Sequence, residues 1–154
     1  MGGESMDEIK RYTDGEWAER EKSYTGQLEA INLPEQPSTA DLLRILAQLD
    51  RLYCQARLEL CHWKRRGEWV ELQYRREYTK AYCEVREQGK TEKDREVLVN
   101  QQLAKVQIEG RPADEARYIA EHRLWFMETM IDILRRKYDL VGVTARSIHG
   151  QISF

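Results

Sequence analysis

A single apolar seam constrains this chain more than anything else in it. Apolar residues recur at Leu42, Ile45, Leu49, Leu52, Ala56, Leu60, Trp63 and Val70. Spacings of three, four and seven are those of a heptad stripe on an α-helix. The pattern continues less cleanly through Tyr74, Tyr78, Ala81, Tyr82 and Val85, with Gly67 as a point where the helix could kink. Ser38-Thr39-Ala40-Asp41 precedes the seam, and Ser38 or Thr39 is the expected cap. About 45 to 50 residues therefore read as one helix, or as two nearly collinear ones, a length that goes with coiled coils and bundles.

The rest of the chain is fitted around that helix. Asp14 to Ile31 reads as an amphipathic helix with Trp17, Tyr24, Leu28 and Ile31 on one stripe. Gly15 and Gly26 weaken it, so a short or mobile helix is expected. Leu33 to Ser38, with Pro34 and Pro37, is a linker. Gly89 reads as a left-handed stop after the long helix. Thr91 with Asp94 then caps a third helix, expected to run to about Ile108 on Val97, Leu98, Leu103, Val106 and Ile108. Glu109-Gly110-Arg111 breaks it. Pro112 suits the first position of a last helix reaching Tyr138, with acids in its first turn and Arg135-Arg136-Lys137 in its last. The segment after Tyr138 is open between a short helix and an extended tail.

The expected fold is all-α: a long helical hairpin or coiled coil with a C-terminal helix that mediates oligomerisation. Its blocks are an appended leader at 1–5 with Met6 as the native start, an acidic helix and Pro-containing linker at 6–37, a long basic and aromatic helix plus a second helix at 38–110, and a C-terminal helix and tail at 111–154. The assembly expectation rests on Leu124-Trp125-Phe126-Met127, which covers a full turn, and on Met130, Ile131 and Leu134. A helix packed on one side has no use for apolar residues all round, so this one should be covered on two or more sides.

Composition narrows the function classes. Of 154 residues, 34% are charged, while Gly and Pro are scarce, as in helices with solvated faces. The net charge of −2 does not mark the whole chain as a nucleic-acid binder, but its distribution is uneven. Residues 1–41 hold ten acids against four bases, a net of −6, and residues 42–83 hold nine bases against five acids, a net of +4. Three cysteines, an odd number, without a recognisable signal peptide predict free thiols in a reducing compartment, the cytoplasm (a host's, if the chain is phage-encoded). No apolar run approaches a membrane span.

Catalytic groupings are absent from the pattern. Gly89-Lys90-Thr91 imitates the end of a phosphate-binding loop, but Glu84 stands where that loop needs its first glycine. Cys54 and Cys61 lie two helical turns apart, about 10.5 Å along a straight helix, too far for one tetrahedral metal. The cysteines are expected to be buried structural thiols. His62, His122 and His149 are scattered, and no nucleophile–base pair is indicated. Neither enzyme, cofactor nor metal site is expected.

The segment with the most chemistry is Cys61 to Tyr82. It interleaves Lys64, Arg65, Arg66, Arg75, Arg76 and Lys80 with Trp63, Trp69, Tyr74 and Tyr78. Cations displace phosphate counterions and flat rings stack on unpaired bases, which is what single-stranded nucleic acid requires. The plainer reading is that the rings are core and the cations a solvated face. An oligomer would multiply a weak patch without new contacts.

The order of these features is suggestive. A helix rich in Arg, Lys and Tyr (Lys64 to Tyr82) is followed by a break at Gly89 and a mixed-charge region. An aromatic-led apolar helix from Leu124-Trp125-Phe126-Met127 to Arg135-Arg136-Lys137, with a short polar tail, comes last. Over about residues 42–154 this resembles the UvsY-type recombination mediators of T-even and related bacteriophages. Residues 7–41 depart most from that pattern. The resemblance implies a small helical protein that forms a homo-oligomeric ring through its C-terminal helix. It also implies binding to single-stranded DNA, contacts with the phage recombinase and single-strand-binding protein, and help in loading the recombinase. It carries over no catalytic residue. The alternative is a coiled-coil structural or interaction protein, for virion assembly or as an inhibitor with a phosphate-mimicking acidic arm, that binds no nucleic acid.

Overall fold

Ser38 and Asp41 start the longest element. The Asp41 backbone N–H donates to Ser38 Oγ at 3.1 Å, and the Ser38 N–H donates to Asp41 Oδ2 at 3.0 Å. Two otherwise orphaned donors are satisfied reciprocally, as in a capping box. Hydrogen bonds from Ser38 hold the Asp41 carboxyl below the usual carboxylate range. In the computed structural model, which describes residues 14–152 and the side chains of 14–148, helix α2 then runs without interruption from Thr39 to Val85, 47 residues. The expected leader at 1–5 lies outside the described residues.

The other described elements are α1 (Asp14–Ala30), α3 (Glu92–Leu103), a hairpin of β1 (Gln107–Ile108) and β2 (Arg111–Pro112), and α4 (Ala113–Ile152). The fold is all-α apart from that two-stranded hairpin. Among the described residues no helix is long and apolar enough to cross a membrane.

Several expectations change at the joints. Gly89 does not take a positive φ; Gly110 and Glu109 do, at 78° and 56°. Gly89 is needed for space instead. A Cβ there would stand 2.7 Å from Arg95 Cγ and 3.0 Å from Arg95 N, because Arg95 folds back and donates from Nε to the Arg86 carbonyl. Thr91 caps α3 as expected, accepting from the Asp94 N–H at 3.2 Å. But α3 stops at Leu103, five residues early. Ile108 pairs with Arg111 and Gln107 with Pro112 across a two-residue turn, Glu109-Gly110. Positive φ at both turn residues is the twist that a two-residue hairpin requires. Pro112 therefore ends β2, and Ala113 opens α4 with its N–H on the Val106 carbonyl at 3.1 Å. The segment after Tyr138 is helical to Ile152.

The described chain divides into two compact units that cut across its linear order. One comprises residues 14–61 and 126–152. Here α1 and parts of α2 and α4 pack as three helices. Its buried residues include Trp17, Tyr24, Leu28, Leu42, Ile45, Leu49 and Leu52, together with Met127, Met130, Ile131 and Leu134. Trp17 meets Phe126 edge-on at 5.6 Å and Tyr53 meets Tyr138 at 6.0 Å. Despite its glycines α1 is held along its length. Buried Glu59 accepts from Arg20 Nε at 2.9 Å and from the Tyr24 hydroxyl. Lys137 Nζ donates to the Ile31 carbonyl at 3.0 Å just past its end.

The other unit is residues 62–125. One apolar cluster joins Val70, Ile108, Ala113, Ala116 and Ala120, and a second joins Ala81, Val85, Val99 and Leu103. The three cysteines, expected to be buried, are all exposed. Cys54 and Cys61 fall on the side of α2 opposite its seam, two positions after Leu52 and one after Leu60.

Two glycine substitutions should move stability in opposite directions. Gly89→Ala crowds Arg95 and should cost about 1–3 kcal/mol. A Cβ on Gly67, mid-helix, would meet nothing within 4 Å. Gly67→Ala should therefore gain about 0.5–1 kcal/mol, and thermal or urea unfolding of both variants reads the contrast.

Candidate nucleic-acid interface

All the cations and rings singled out between Trp63 and Lys80 lie on α2 within the unit of residues 62–125, but they do not share one environment. Two of them face inward. Arg66 is buried and forms an ion pair with Glu109 of the hairpin turn, its guanidinium 5.0 Å over the Trp69 ring. Trp63 is 2% exposed, with Arg123 of α4 lying 5.2 Å over its ring. Neither can meet a phosphate or a base without opening this unit. Trp69 and Tyr74 are half-buried. Tyr74 sits under Arg117 at 4.7 Å. Burial, and then a hydrogen bond to the Asp114 carboxylate, pushes its phenol above the usual range.

The seam explains Arg66. Continuing the three–four spacing from Ala56 passes through Glu59, Trp63, Arg66 and Val70. Glu59 and Arg66 occupy core positions, and each has a charged or hydroxyl partner there. A buried charge without one would be prohibitive.

The remaining cations face solvent. Lys64, Arg65, Arg75, Arg76 and Lys80 are exposed, and Glu68 is the one exposed acid between residues 64 and 80. Arg75 Nε reaches Glu71 at 3.3 Å, a weak exposed pair. Lys64, Arg76 and Lys80 form no ion pair among the described residues. Of the four proposed stacking rings only Tyr78 is exposed, so this face offers far more charge than aromatic surface.

Beside it, α2 and α4 border a groove of about 870 Å³. Trp63 meets Arg123 and Glu71 meets Arg117, so the two helices run antiparallel here. Gly67, Val70 and Ala120 line the groove together with Lys64, Arg75 and Arg117 and with Glu68, Glu71 and Glu121. Three cations against three acids make it neutral, so it does not extend the basic face of α2.

On α4 the apolar turn is divided among several roles. Met127, Met130, Ile131 and Leu134, expected in an assembly surface, are buried in the core of the other unit, Met127 completely. Phe126 is half-buried against Trp17, and Leu124 lines the groove. Trp125 alone of that set is exposed, at 59%. It belongs to a ladder that the sequence reading missed: Tyr118, 65% exposed, stands 5.8 Å from His122, which stands 5.8 Å from Trp125. The signal was present in the spacing of four and three between those rings, on the side of α4 away from Ala116 and Ala120.

Among the described residues no group of three or more His, Cys, Asp or Glu side chains could hold a metal ion. Compared with protein-family models, curated proteins and solved structures, the chain matches none of them.

The inward and outward cations should separate cleanly by mutation. Arg66→Ala strands Glu109 and should lower stability by about 3 kcal/mol. Arg76→Ala, an exposed change, should stay within about 0.5 kcal/mol. Chemical denaturation of the two variants measures both.

Proposed function

We propose that the chain is a single-stranded-DNA-binding protein whose contact surface is the outer face of α2, and that it serves as an oligomeric recombination mediator. The observation that carries the reading is five exposed cations, three of them unpaired, against one exposed acid on residues 64–80. A cation already held by a carboxylate gives up that partner to take a phosphate; Lys64, Arg76 and Lys80 have nothing to give up. Binding is then driven mainly by counterion release, with Tyr78 as the one ring available for stacking. The contact set is Lys64, Arg65, Arg75, Arg76 and Lys80, without Arg66 or Trp63.

The mediator role rests on the likeness to UvsY-type proteins in the order of features from Lys64 to Lys137. It brings with it a phage recombinase and a single-strand-binding protein as partners, and a function that needs no chemistry of its own. The second reading, an interaction protein that never touches nucleic acid, is favoured by the exposed Tyr118–His122–Trp125 ladder, whose flanks include Glu115 and Glu121.

Fluorescence anisotropy with a labelled oligothymidylate at several salt concentrations tests the first reading. Each of Lys64→Ala, Arg76→Ala and Lys80→Ala should reduce the log–log salt slope by about 0.7. Absence of binding at low salt would sink it in favour of the second.

A further inference from the structure

Two faces of the unit formed by residues 62–125 have opposite character. On α4, Tyr118, His122 and Trp125 present three contacting rings to solvent, with exposed Asp114, Glu115 and Glu121 on the same half of the helix. On α2, Arg65, Arg76 and Lys80 project cations with few acids among them. Glu115 pairs with Arg111 at 3.3 Å and Glu121 with Arg117 at 3.5 Å, so three acids against two cations leave a small net negative charge, and the face attracts guanidinium and ammonium groups chiefly through its rings. Arg76 and Lys80 repeat at the same four-residue spacing as Tyr118 and His122, so cations and rings can be matched turn for turn.

These faces cannot meet within one copy. Each points away from the core that the two helices share, where Trp63, Arg66 and Val70 of α2 lie with Ala116, Ala120 and Arg123 of α4. We infer that the Tyr118–His122–Trp125 face of one copy docks on the Arg76–Lys80 end of the basic face of a second copy. The contact is head-to-tail, two different patches, so it propagates from copy to copy and closes into a ring or continues as an open chain according to its rotation. It also covers cations assigned above to nucleic acid. Assembly and single-stranded DNA then compete for Arg76 and Lys80, so the oligomer is the DNA-free form of the mediator proposed above, and DNA opens it. This competition rests on the nucleic-acid reading; the docking itself does not.

A mixing experiment tests the docking without DNA. Tyr118→Ala/Trp125→Ala removes one patch and Arg76→Glu/Lys80→Glu removes the other; all four residues are exposed, and far-UV circular dichroism checks that the variants remain helical. In sedimentation velocity the wild type should be larger than a monomer, and each variant alone should be a monomer. An equimolar mixture should form a dimer and nothing larger, because one intact pair of patches remains. A wild-type monomer, either variant keeping the wild-type mass, or a mixture that stays monomeric overturns the docking. A second arm adds oligothymidylate: wild-type mass per protein assembly should fall, and the ladder variant should bind DNA severalfold more tightly than wild type. If DNA binds while the assembly keeps its mass, the competition is wrong. If DNA does not bind at all, the nucleic-acid reading fails while the mixing result stands.

Discussion

Arg66 holds together a sequence of dependencies in residues 62–125. Its guanidinium, in a core position of α2, pairs with Glu109. Glu109 is a non-glycine residue at a φ of 56°, a conformation that an L residue rarely adopts without a local reason. The two-residue turn requires it, and the ion pair then ties that turn to α2. The hairpin in turn sets where α4 begins, since Ala113 takes the Val106 carbonyl as it leaves β2. From that starting point Arg117 reaches Glu71, Arg123 covers Trp63, and the rings at 118, 122 and 125 point outward. A pair of this kind adds little net stability over a well-packed apolar contact, and its effect is on register. Glu59 does the same in the other unit, where Arg20 and Tyr24 converge on it and set how α1 lies along α2.

How much of this was legible in advance varied with the physical signal. The seam from Leu42 to Val70, the Ser38–Asp41 box and the Thr91 cap are local patterns, and each predicts its element directly. The hairpin has no such pattern: two residues per strand are too few for a period, and Val106 and Ile108 looked like one more helical turn. Gly89 suggests backbone freedom, but its reason is the side chain of Arg95, six residues on, which folds back over the loop to the Arg86 carbonyl. Among the six cations, the inward one could have been found. The spacing that places Trp63 and Val70 in the seam also runs through Glu59 and Arg66, so a charge at a seam position is the signal for an inward one. The apolar turn at 124–127 was read as one surface because a sequence shows hydrophobicity without showing how many neighbours share it.

The consequence for function is a division of labour on two helices. Residues whose charge or ring is used to build the fold, Arg66, Arg123 and Trp63, are withdrawn from recognition. What remains on α2 is mainly charge, with exposed Leu72 among the cations and Tyr78 at their edge. What remains on α4 is aromatic and acidic. A binding face made of phosphate contacts alone is tolerant of base sequence and sensitive to ionic strength, as the role proposed above requires. Recognition with more shape in it, such as that of another protein, has the α4 rings and the neutral groove to work with.

The outward cysteines bear on how this chain behaves once isolated. Cys54 and Cys61 sit about 10.5 Å apart along one straight helix, beyond the Cα separation a disulfide allows, so neither can be protected by pairing with the other. In air, such thiols exchange and cross-link between molecules. A covalent dimer or ladder of dimers formed in this way would mimic a specific assembly on a gel or in a centrifuge. It would also seal molecules together in arrangements unrelated to any face described above. Solution mass is therefore meaningful for this chain only under a reductant, or with the thiols replaced by serine.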